Sequence, residues 1–223
     1  MAQTAMVGET VLAPVLSASA VLVAGLLVFG LLDAGPLSIQ MAQHLVVMNV
    51  IAPAAAIMLV PHMRGRPSRP LYFWAAGLMQ ITMLWVWHAP SVQMASASSF
   101  LLHVALMLLL ALAATSFWTL LLAAAVHRSW SAIAGLLITG KLACLLGALM
   151  IFAGRDLYLL PGLSIPFCST GPSTLEDQHL AGLLMITACP LSYLVAGVVL
   201  AAQMFTRIDR EPRQSGYRGL ATR

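Results

Sequence analysis

Six histidines punctuate a chain that is otherwise almost wholly apolar, and four of them (His44, His88, His103 and His179) are candidates for chemistry, each within about six residues of a methionine. His44 belongs to the run QMAQHLVVMNVIAPAAAIMLVP, Gln40 to Pro61, with Met41 three residues before it and Met48 four residues after. On a helix those spacings bring all three side chains towards one face. Met107 follows His103 by four residues, and Met185 follows His179 by six. Imidazole ligates copper, zinc and haem iron, and thioether sulfur prefers copper in its reduced state. A histidine inside a hydrocarbon-facing run is costly unless it faces protein, a cofactor or water. The competing reading is that each histidine hydrogen-bonds a neighbouring helix, and most of the 13 methionines fit packing alone.

The elements that must position these residues are membrane helices. Of 223 residues, 61% are hydrophobic and 8% charged, where soluble domains carry about 25% charge. The fold class expected is therefore an all-α integral membrane protein in the lipid bilayer, a single helical domain over residues 1–206 with a basic tail over 207–223. Spans are expected at about 11–32, 40–61, 71–88, 100–126, 131–154 and 175–205, a bundle of six. Residues 1–10 lack the basic start of a secretory signal, so 11–32 reads as a membrane helix rather than a cleaved leader. Pro53 should kink the second span or free a carbonyl. Ser91 to Ser99 reads as a short polar link. The three cysteines, Cys144, Cys168 and Cys189, make no disulfide framework.

The segments 62–70, 127–130 and 206–223 hold nine of the 11 basic residues. Assigned to the cytoplasm, they place the amino terminus outside and the carboxyl terminus inside. This use of the basic excess leaves no call for a nucleic-acid partner. The same orientation brings His44, His88, His103 and His179 to the outer leaflet from four different helices. His62 and His127 fall beside arginines at the cytoplasmic boundary as ordinary interfacial residues. Lys141 lies mid-span, and all seven carboxylates are in loops or at helix ends. Ser173 with Glu176 fits a capping box, and Asp177 could accept a ring N–H from an outer histidine. No activated nucleophile, carboxylate pair or phosphate loop suggests an enzyme.

The segments MAQHLVVMNVIAP, LWVWHAP, LLHVALM…SFW and LEDQHLAGLLM resemble the multi-pass CtaG-like cytochrome c oxidase assembly proteins, the family linked to caa-type oxidases. The similarity runs from about Gln40 to Phe205. His44 with Ala52-Pro53, Trp87-His88-Ala89-Pro90, His103 with Phe117-Trp118, and Asp177-Gln178 with Ala181, Gly182 and Met185 carry it. Ile186 stands where that family's pattern has tryptophan, and members are often longer by one span. The resemblance implies an accessory protein of the bacterial inner membrane that helps mature a haem-copper oxidase, acting on a copper centre. Its implied partners are oxidase subunits and a periplasmic copper donor. The metal site expected is His44, His88 and His103, with His179, Met48 and Asp177 in support. A haem held by two of these histidines, and a scaffold or transporter in which they are structural, are the alternatives.

Overall fold

The computed structural model describes residues 35–63, 70–125, 129–158 and 174–220, with the backbone alone over 207–220, and the single positions 13, 17 and 20. The expected span at 11–32 (those three positions apart), His127 and most of the connection after Tyr158 lie outside the described residues. Among those described the chain is all helical: α1 (Pro36–Val46), a π-helical turn (Val47–Ile51), α2 (Ala52–Leu59), a 3-10 turn (Val60–Met63), α3 (Pro70–Trp87), α4 (Pro90–Ser98), α5 (Phe100–Ala125), α6 (Ser129–Phe152), α7 (Leu175–Thr187) and α8 (Cys189–Leu220). Among the described residues four continuous helical stretches are long and apolar enough to cross a bilayer: Pro36–Met63, Phe100–Ala125, Ser129–Phe152 and Leu175–Thr206. The 18-residue α3 lies where a further span was expected.

Prolines decide several boundaries. Pro36 occupies the first turn of α1, where its missing N–H costs nothing, so this helix starts before the expected residue 40. Pro90 does the same for α4, after an extended Ala89. The segment expected as a link is therefore a short helix. The last span is divided at Ala188, because Pro190 cannot donate to the carbonyl of Ile186 four residues back. The Cys144 thiol on α6 points to that carbonyl instead, at 3.9 Å. At the start of α7 the cap is Thr174, whose hydroxyl accepts the Asp177 N–H. Ser173, expected to open a capping box with Glu176, lies outside the described residues. The cap observed is one residue later, because Leu175 is the first helical position. The Asp177 carboxylate turns to Leu37 and Ser38 rather than closing a box.

Helices that are apolar all round need another rule to decide which face turns inward. Here small and polar residues do. α6 packs closely on α7, and also contacts α8. A Cβ added to Gly147 or to Gly182 would meet the other's carbonyl oxygen at 2.9 Å, so these two positions set the approach of α6 and α7. α3 and α2 pack on α5, and α1 lies along α7. Gln40, Asn49, Gln80 and Gln178 are all buried, while Leu101, Leu108, Leu112 and Leu145 face outward. The core runs through Phe117, Trp118 and Leu121 of α5, with Tyr193 of α8 in contact with the first two rings.

A candidate metal centre at the π-helical turn

Met41, His44, Leu45 and Met48 form one buried stripe along α1 and the π-helical turn. Opposite them stand Leu84 and His88 at the end of α3, and Met185 and Cys189 where α7 meets α8. Together these eight side chains line a cavity of about 10 Å³, roughly the room that one small particle needs. The His44 ring lies edge-on to Trp87 at 4.6 Å between centroids and 5.3 Å from the His88 ring.

The polar atoms here are arranged unusually. His88 Nδ1 lies 2.6 Å from the carbonyl oxygen of Leu84. A carbonyl only accepts, so Nδ1 carries the proton and donates. Nε2 of the neutral ring is then left with its lone pair, and it faces the thioether sulfur of Met41 at 3.2 Å. Two acceptors are in contact with no proton between them. Among the described residues neither ring nitrogen of His44 has a hydrogen-bond partner, although both are buried. A neutral imidazole left so gives up a donor and an acceptor interaction, at a cost of about 1–3 kcal/mol per group. A cation accepting electron pairs from these nitrogens and sulfurs would relieve both.

Neighbouring groups hold these donors in place. The indole of Trp118 donates to the Met48 carbonyl at 3.1 Å. The Tyr158 hydroxyl donates to the His88 carbonyl at 2.8 Å, and burial pushes that phenol up to about 12, so it remains a donor at neutral pH. Gln178 ties the start of α7 to the last turn of α6 and the residues after it. Its Nε2 donates to the Met150 carbonyl at 3.0 Å, and its Oε1 accepts the Leu157 N–H at 2.7 Å.

Of the residues expected from sequence, His44, His88 and Met48 line the cavity. His103 packs on Trp87, with 5.1 Å between ring centroids, and does not line it. His179 is half-buried on α7, away from the lining. Asp177 does not hold a histidine: its carboxylate accepts the N–H groups of Leu37 and Ser38 at 2.9 and 3.1 Å and the Ser38 hydroxyl at 2.6 Å. The free N–H groups at the start of α1 attract an anion, and this one is already there. His62 is exposed and bonds the Met58 carbonyl within its own turn, as an interfacial residue would. Met41, Met185 and Cys189 are the sulfur-bearing lining residues that the expected metal site left out. The three-residue step from Met41 to His44 was the available signal for the first. Among the described residues no three of His, Cys, Asp and Glu converge on one metal position, so the donors brought together are two imidazoles and thioethers.

A family model described as cytochrome c oxidase caa3 assembly factor (Caa3_CtaG) matches residues 7–207. No curated protein and no solved structure matches the chain.

Proposed function

Because the chain belongs to the family of cytochrome c oxidase caa3 assembly factors, we propose that it handles copper for the maturing oxidase, holding Cu(I) in the cavity between α1, α3 and the α7–α8 junction. The observation that carries this is the contact of His88 Nε2 with Met41 Sδ at 3.2 Å, beside the unpartnered ring of His44. With bonds of about 2.0 Å to nitrogen and about 2.3 Å to sulfur, two donors on a tetrahedral ion stand about 3.5 Å apart, so little movement is required. His44, His88 and Met41 are the ligands, and Met48 or Met185 completes the set. Thioethers select the reduced ion and hold it less firmly than thiolates would, which suits cargo that must be passed on. The room available favours a single ion over a haem.

In this reading the protein is a non-enzymatic factor of the bacterial inner membrane with six spans, amino terminus outside and carboxyl terminus in the cytoplasm. A periplasmic copper donor then supplies the ion, and an oxidase subunit takes it. His103, which packs on Trp87, stands outside the ligand set.

The test is the copper and haem content of the detergent-purified protein, loaded with Cu(I) and washed. The wild type should retain one copper per chain with no Soret band, while His44→Ala and His88→Ala lose it. Equal copper in all three, or a Soret band in the wild type, would sink the reading.

A further inference from the structure

Lys141 is the 13th of the 24 residues of α6, and its side chain is exposed on the outer surface of the bundle. Leu137, Ile138, Leu145 and Leu149 surround it on the same face, each about half exposed. The opposite face, with Gly135, Leu136, Ala143 and Gly147, is the one packed into the protein. At 1.5 Å per residue the lysine backbone is about 17 Å from either end of the helix. Half the hydrocarbon thickness is about 15 Å, and an extended lysine reaches about 6 Å along the helix. The ammonium thus falls well short of either headgroup layer, in a setting where an unpaired charge costs several kcal/mol.

The chain itself has no counter-ion for it. No Asp or Glu occurs between Glu9 and Asp33, none between Asp33 and Asp156, and none between Asp177 and Asp209. Every carboxylate is therefore outside the apolar core of the spans or at a helix start, and Asp177 is committed to the start of α1. A second copy of the chain on this face would bring another lysine and no acid. We propose that the Lys141 face of α6 docks a transmembrane helix of a different protein, one that carries an Asp or Glu near the middle of its own span. The leucines supply the apolar contact and the ion pair fixes depth and identity, since a like charge or an apolar residue opposite Lys141 would leave the ammonium uncompensated. This is independent of copper binding.

The experiment uses the full chain in its native membrane, with benzoylphenylalanine in place of Leu145. On illumination it should form an adduct with a membrane protein, and mass spectrometry of the joined peptides should map it to a span containing Asp or Glu. The adduct should fall about tenfold in Lys141→Leu, persist in Lys141→Arg, and return when Lys141→Asp is paired with a lysine at the partner's acidic position. Lys141→Leu places an apolar residue on a lipid-facing surface, so the helix is retained, and the amount of chain in the membrane checks this. Adducts only with lipid or with the chain itself, an adduct indifferent to Lys141→Leu, or a partner span without a carboxylate would each overturn the proposal.

Discussion

The indole nitrogen of Trp118 donates to the carbonyl oxygen of Met48 at 3.1 Å, joining the middle of α5 to the π-helical turn that carries a cavity-lining methionine. That carbonyl has lost its helical donors twice over. The N–H of Ala52, its normal α-helical partner, reaches back five residues to Val47. The next residue, which would serve a five-residue step from Met48, is Pro53 and has no N–H. Wide turns of this kind recur at functional sites because they re-aim the side chains next to them. Here the turn presents Met48 to the same cavity as Met41 and His44, and Trp118 fixes it.

Removal of that donor should be felt. Trp118→Phe keeps an aromatic ring but leaves a buried carbonyl unpaired, at a cost of about 1–3 kcal/mol. The expected outcome is a lower Tm in detergent. Pro53→Ala brings an N–H within reach of the Met48 carbonyl, so the double variant should recover part of the loss. Strictly additive losses in the Trp118→Phe, Pro53→Ala cycle would contradict this account of the turn.

A separate prediction distinguishes a helix cap from a metal ligand at Asp177. Its carboxylate holds two N–H groups and one hydroxyl of Leu37 and Ser38. Asp177→Asn turns an amide donor towards donors and removes the charge, costing about 1.5–3 kcal/mol. Gly35→Ala should act in the same direction, since a Cβ there would run into the carboxylate. Both variants should melt earlier, yet bind as much copper per folded chain as the wild type. A drop in copper at unchanged Tm would return Asp177 to the ligand set.

Much of this was legible in the sequence, for physical reasons that also explain the remainder. Long apolar runs must be helical in lipid because their backbone groups have no other partner, so the long apolar helices between Pro36 and Thr206 follow from composition, whereas the short polar α4 did not. Pro53 announced a freed carbonyl, which the Met48–Trp118 bond supplies with a donor. Spacing put Met41, His44 and Met48 on one face. Lateral order was not legible, because helices apolar all round give no signal of which face meets which neighbour. Hence His103 and His179, expected at the depth of His44, do not line its cavity, while Cys189 beside the break at Pro190 does. Asp177 misled for a related reason. The donors it serves are the backbone N–H groups at the start of α1, and they leave no mark on residue type.

The thioether of Met41 offers the sharpest test of the site, because it can be removed with little change of volume. Met41→Leu preserves the apolar packing of a fully buried position, and such isosteric exchanges usually cost less than about 1.5 kcal/mol. It also replaces the sulfur that faces His88 Nε2 with a methyl group. If the contact is merely packing, the variant should be neutral or slightly more stable, since a lone pair against a lone pair is exchanged for an apolar contact. If both atoms are ligands, Tm without copper should hardly change while Cu(I) affinity, measured by competition with a chromophoric chelator, falls at least about tenfold. Met48→Leu tests the next donor in the same way, and Met79→Leu, on an exposed face of α3, should leave affinity alone. Equal affinities across the three variants would assign the Met41–His88 contact to packing and remove copper from the cavity.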